Sequence, residues 1–207
     1  MRSFFLIILV FASPVSFAQN KLPFTSLKPF NKGNVAINLG YERHIPDASF
    51  GVPKGCLEIG YGFTDWCVAG LYAEYGTFEN RVGLWSGSLH SYQQHFIFYG
   101  AYNKCHPVSL LLPNFYFFDL YSVLRFGLYH SIAVFEEDDI NPTDYLLHYN
   151  TCEPYLAGGW GVAINPSKYF GVFYERTYTS IKIQGDKNPH LYHRFGINVR
   201  FGGPKKW

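Results

Sequence analysis

Residues 191–201 alternate in character, with odd positions mostly apolar. Leu191, Phe195, Ile197, Val199 and Phe201 are apolar, whereas Tyr192, Arg194, Gly196, Asn198 and Arg200 are polar or small. A period of two is that of a β-strand with one apolar and one polar face. Comparable runs, separated by turn-rich breaks, predict eight strands at 34–45, 56–64, 67–79, 92–103, 115–133, 150–164, 169–180 and 191–201. In the second, Leu57, Ile59, Tyr61 and Phe63 oppose Glu58, Gly60, Gly62 and Thr64. In the fifth, Phe118, Leu120, Leu124, Phe126 and Leu128 oppose Asp119, Tyr121, Arg125 and Gly127. In the sixth, Leu156, Trp160, Val162 and Ile164 oppose Glu153, Ala157, Gly159 and Gly161. The fourth run, around Gln93 to Tyr99, does not resolve into two faces, and its register stays open.

The breaks are of two kinds. Those at 64–66, 104–114 and 165–168 are tight or carry no run of acidic charge; those at 46–55, 80–91, 136–148 and 181–190 are polar and mostly longer. The two kinds alternate along the chain. This is the plan of an all-β, antiparallel up-and-down barrel of eight strands, with turns at one end and four loops at the other.

Composition decides which face looks outward. Charged residues make up 15% of the chain and aromatic residues 20%. A soluble barrel presents a surface dense in Lys and Glu. Here every lysine falls in the N-terminal segment, a break, the tail or a strand end. The pattern therefore places the apolar face outward in lipid and the small polar face inward in a narrow lumen. Tyr41, Trp66, Tyr75, Tyr92, Tyr129, Tyr169, Tyr178 and Tyr192, near strand ends, are expected to form interfacial girdles. The alternative is a secreted lipocalin-like barrel with an apolar pocket.

The first 18 residues have a basic start, an apolar run and Ser16-Phe17-Ala18 before Gln19, the layout of a cleaved secretory signal peptide. Residues 19–33 read as an irregular segment, 34–201 as the barrel and 202–207 as a short tail. No later segment has the ~18 continuous apolar residues of a transmembrane helix. The net charge of +2 does not favour nucleic acid as a partner.

Within the last strand, Arg194, Gly196, Val199 and Phe201 hold the polar, glycine, hydrophobic and aromatic places of the C-terminal assembly signal of outer-membrane β-barrel proteins. On this signal and the strand count, residues 34–201 resemble the small eight-stranded outer-membrane barrels of the OmpA/OmpX kind. The resemblance implies residence in a Gram-negative outer membrane with both termini periplasmic. It also implies contact with outer-membrane lipid and lipopolysaccharide, and handling by the barrel assembly machinery during insertion. It does not carry a function with it. The 202–207 tail departs from the pattern and is read as a short periplasmic extension.

Candidate chemistry is confined to the lumen, the rim and the cysteines. Glu42, Glu58, Glu74, Asp119, Glu153 and Glu175 are inward candidates on the acidic side, with Arg125, Arg194 and Arg200 opposite them. Buried charges must pair, so a structural polar plug is expected, with an ion or proton path as the alternative. Cys56 and Cys67 bracket one strand, roughly 35 Å apart, and cannot bond. The expected disulfide is Cys67–Cys105 at the turn end, with Cys56–Cys152 as a second. His44, His90, His95, His130, His148, His190 and His193 fall near the loop end beside Glu136-Glu137-Asp138-Asp139, and His106 at the turn end. Their spacing matches no metal site.

His130-Ser131 is similar to the Ser-His pair of outer-membrane lipid A deacylases. Those enzymes separate the two residues by one, and adjacent strand residues point to opposite faces. No catalytic, cofactor or metal site is therefore expected. The expected role is structural, or surface interaction through the four loops, with a lipid-modifying enzyme as the competing class.

Overall fold

The computed structural model describes residues 31–44, 53–83, 89–112, 115–135, 150–179 and 190–202. The expected signal peptide, most of the N-terminal segment and the tail, the four loop tips and the acidic run at 136–139 lie outside the described residues. Eight strands follow in order: β1 Asn34–His44, β2 Lys54–Gly62, β3 Cys67–Gly83, β4 Leu89–Cys105, β5 Phe118–Phe135, β6 Thr151–Ile164, β7 Phe170–Thr179 and β8 His190–Gly202. Each pairs antiparallel with its neighbours in sequence, and β8 pairs with β1 to close an up-and-down barrel. A short helix, α1 Pro107–Leu111, occupies the 104–114 break between β4 and β5.

The register fixes the tilt. The ladder can be followed from His44 through Tyr192, Thr177, Gly159, Val123, Lys104, Val68 and Gly62. It returns to β1 beside Asn34, a stagger of ten residues from position 44 to position 34. Stagger and strand tilt are linked when a sheet closes, and eight strands leave an interior that side chains can fill.

Polarity is inverted relative to a soluble protein. Leu39, Leu71, Phe126, Leu156 and Phe195 are exposed on the outside, whereas Arg125, Arg194, Glu58 and Glu175 are buried inside. The fourth strand now has a register. Gln94, Phe96, Phe98, Tyr102 and Lys104 point in, and Gln93 and Tyr99 face outward. Its bulky aromatics on both faces had hidden the alternation. Gly60 explains one small inward position, because a Cβ there would lie 2.2 Å from the Tyr102 hydroxyl laid across it.

The strands are longer on one side than the sequence breaks imply. β3 pairs with β4 as far as Gly83↔Leu89, but with β2 only to Gly76. β6 pairs with β5 to Thr151 and, among the described residues, with β7 from Ala157. Among the described residues the β3–β4 and β5–β6 ladders therefore reach furthest at the loop end. Exposed polar residues such as Gln93 and Glu79 sit in these strand extensions, where ladder hydrogen bonds rather than burial hold the backbone, so an apolar alternation cannot mark their ends.

Several expectations need correction. The cysteines are all free. Cys67 and Cys105 are cross-strand neighbours, yet the Cys67 thiol accepts from the Asn103 amide and the Cys105 thiol donates to its oxygen, both at 3.2 Å. Cys56 is buried and Cys152 exposed, so the second expected disulfide joins residues on opposite faces. Tyr129 and Tyr192 are buried in the lumen instead of forming girdles, and the side chain of Tyr92 is outside the described set; Tyr41, Trp66, Tyr75, Tyr169 and Tyr178 are exposed on the barrel as expected. Glu153 follows the inward alternation of Tyr155 and Ala157 but sits exposed at the loop-end mouth, where the lumen opens.

Candidate functional site: the charged lumen

Alternation on seven of the eight strands (β6 contributes none) delivers ionisable groups to one compartment at mid-barrel. Glu42 comes from β1, Lys54 and Glu58 from β2, Glu74 from β3, Lys104 from β4, Arg125 from β5, Glu175 from β7 and Arg194 from β8. Four carboxylates face four cations, so the compartment is neutral without outside ions. Lys54 Nζ lies 2.6 Å from Glu42 and 3.2 Å from Glu74. Lys104 Nζ bridges Glu58 at 2.7 Å and Glu175 at 2.6 Å. Arg125 donates from Nε to Glu58 at 3.0 Å and reaches Glu58 and Glu175 through Nη2.

Arg194 is the hub. It donates to Glu42 from Nε at 2.9 Å and from Nη2 at 2.6 Å, to Glu58 from Nη1 at 2.7 Å, and to Glu74. A guanidinium has five donors in a rigid fork, and this site uses that capacity as an ammonium could not. Asn38 adds a donor to Glu58 at 2.8 Å. Removing a single partner from such a network leaves an uncompensated buried charge, the costly case.

The two lysines sit at strand ends, as the sequence places them, yet both side chains enter the lumen. Lys54 opens β2 and Lys104 nearly closes β4, and both are buried. A lysine at a strand end looks like a loop residue in sequence, but its flexible stem carries the ammonium along the lumen. The only sequence signal available was the surplus of inward carboxylates over inward arginines.

Aromatic rings seal the loop-end side of the network. Phe98 packs at 4.7 Å from Tyr129 and 5.1 Å from Tyr155, between ring centroids. Lys54 Nζ sits 4.0 Å from the Phe98 centroid and 4.1 Å from that of Tyr192, the distance range of cation–π contact. At the turn end, His106 Nδ1 meets Asp119 Oδ2 at 2.6 Å. Arg200 donates to Asn165 at 3.0 Å and to Asn198 at 2.9 Å. A small cavity lined by Asn38, Lys104, His106, Tyr121, Asn198 and Arg200 lies between this layer and the ion network.

Other candidates separate spatially. Ser131 points inward and accepts from Gln94 Nε2 at 2.6 Å, whereas His130 points outward to Tyr99 and Cys152. The two are therefore on opposite faces. Ligand atoms of Glu42, Cys56 and Glu74 lie within 4.8 Å of one another. Both carboxylates are already engaged by Lys54 and Arg194, so the donor set is that of an ion-pair cluster.

Comparison with protein-family models finds no match, and comparison with curated proteins finds none either. Among solved structures, the chain is similar to the N-terminal β-barrel domain of Pseudomonas aeruginosa OprF, at 14% identity and a TM-score of 0.48 over 82% of this chain and 98% of that one. It is similar to Neisserial surface protein A at 15% identity and a TM-score of 0.49, over 81% and 96%. It is also similar to OprG from Pseudomonas aeruginosa at 14% and 0.49, over 83% and 97%. These likenesses are too low to speak of more than architecture, and the barrel assignment stands on the closed register of this chain.

Proposed function

We propose that the protein is an integral outer-membrane barrel with a plugged lumen, acting as a rigid anchor that presents its loop-end sheet to partners outside the cell. One observation carries this reading: an apolar exterior encloses a neutral network of Glu42, Glu58, Glu74, Glu175, Lys54, Lys104, Arg125 and Arg194. Lipid accepts the outside, because a closed barrel leaves no backbone group unpaired within the hydrocarbon. The saturated network fills the inside, which argues against a transport path.

The β3–β6 sheet beyond Gly76 and Ala157 supports the surface role. It is an extended platform whose outward residues turn polar at Thr77 and Glu79. β1 starts and β8 ends at the turn end, which this reading assigns to the periplasmic side. Membrane fractionation followed by gel migration with and without heating tests the proposal. A heat-modifiable band in the outer-membrane fraction is expected. A soluble protein without that shift would sink it.

A further inference from the structure

The outer wall of the barrel is not uniform. On β5 the outward residues run apolar from Phe118 to Leu128, with Ser122 the one small polar member. That is roughly 33 Å along the strand and about 25 Å of height at the usual tilt, which matches the apolar band of a membrane barrel. On β7, which also starts at the turn end, the outward run is Phe170, Val172 and Tyr174, and then Arg176. That covers only about 10 Å of height.

The interruption continues onto the neighbouring strands. Arg176 pairs with His193 on β8, and His193 pairs with Arg43 on β1, so the three form one cross-strand row on the exterior. The adjoining inward residues Glu42, Glu175 and Arg194 are buried, which places the row on the lipid side. Neighbouring strands lie about 4.8 Å apart, so the two arginine backbones are roughly 10 Å apart with the imidazole between them.

The described residues supply the row with no counter-charge. Among the described residues no carboxylate lies within ion-pair distance of Arg43 or Arg176. Arg176 Nε is shielded from solvent without a hydrogen-bond acceptor, and its guanidinium lies 5.8 Å from the Tyr178 ring centroid. His193 Nδ1 is held at 2.6 Å by the Tyr174 hydroxyl. Cations on a lipid-facing wall are costly and mark functional positions.

We infer that the Arg43–His193–Arg176 row is a docking site for the phosphate of an outer-leaflet glycolipid, drawn down against the short β7–β8–β1 wall. The inference rests on the membrane-barrel reading above. Two guanidinium forks separated by an imidazole supply the planar, charge-assisted donors that phosphate oxygens take. A phosphate borne by a lipid is the anion available at that depth.

The test uses full-length protein in nanodiscs of phosphatidylcholine doped with bisphosphorylated lipid A or with its dephosphorylated form, and reads retained lipid by native mass spectrometry. Preferential retention of the phosphorylated form by roughly tenfold is expected, the equivalent of about one charged hydrogen bond. Arg43→Gln/Arg176→Gln should abolish the preference, and Arg43→Lys/Arg176→Lys should keep most of it. The heat-modifiable gel shift, run on each variant, reports barrel integrity separately. Equal retention of both lipids by the unmodified protein overturns the inference, whatever the variants do. So does a preference unchanged in the Gln variant. Loss of the bound lipid to competing inorganic phosphate would also overturn it, by showing a site for the free anion. A cross-linked dimer through this wall would overturn it too, by assigning the row to a second copy.

Discussion

Arg194 of β8 and Glu42 of β1 are directly opposite across the seam that closes the barrel, and two donors of the guanidinium, Nε and Nη2, reach the Glu42 carboxylate at 2.9 and 2.6 Å. The first and last strands are thus joined by a backbone ladder and a buried two-donor ion pair. The same guanidinium ties this seam to β2 and β3 through Glu58 and Glu74.

Arg194→Met should therefore be among the most damaging single changes in the barrel. It strands acceptors on Glu42, Glu58 and Glu74 and should cost roughly 3–5 kcal/mol, the range for breaking a buried pair from one side. Urea unfolding in lipid vesicles measures it. The Glu42→Gln/Arg194→Met double variant should lose less than the sum of the two single changes, since the residues share one network.

Lumen conductance is expected to be silent in the unmodified protein. In planar bilayers, no steps of porin size should appear. The Arg125→Ala/Arg194→Ala variant removes the two side chains that cross the middle of the lumen, so it should pass small cation currents through the remaining carboxylates. Porin-like steps from the unmodified protein would contradict the plug.

Thiol chemistry reads out sidedness. A membrane-impermeant maleimide applied to intact cells should label Cys152, which is exposed near the loop end, and leave Cys56 unmodified. Cys67 and Cys105 at the turn end should react only once the periplasm is opened. Labelling of Cys67 from outside intact cells would reverse the orientation.

Gly60 and Tyr102 form a packing pair that can be tested by rescue. Gly60→Ala drives a methyl against the Tyr102 hydroxyl, 2.2 Å from an ideal Cβ. Such overpacking typically costs about 1–3 kcal/mol. Tyr102→Phe removes the clashing oxygen and should recover part of the loss in the Gly60→Ala background, as urea midpoints in vesicles would show.

Much of this molecule is legible in one dimension. Alternation along 56–64, 115–133 and 191–201 is a local property, because successive residues on a strand must point to opposite sides of the sheet. It is enough to assign Glu58, Arg125 and Arg194 to the face opposite Leu57, Phe126 and Phe195. Together with few charges and many aromatics, it also sets which face is outside. Strand count and order follow from the breaks, because consecutive antiparallel strands need only short connections.

The tertiary structure alone decided what depends on distance across the barrel. Glu58, Arg125 and Arg194 are remote in sequence and meet only because a ten-residue stagger brings them to one level. Lys54 and Lys104 sit at strand ends, and their place among the carboxylates depends on how far a flexible side chain reaches into the lumen. The Arg43–His193–Arg176 row exists only in the cross-strand register, since no sequence window contains its members together. Where the alternation was readable, the sequence determined which face a residue presents; the stagger of the closing sheet determined which residue it meets.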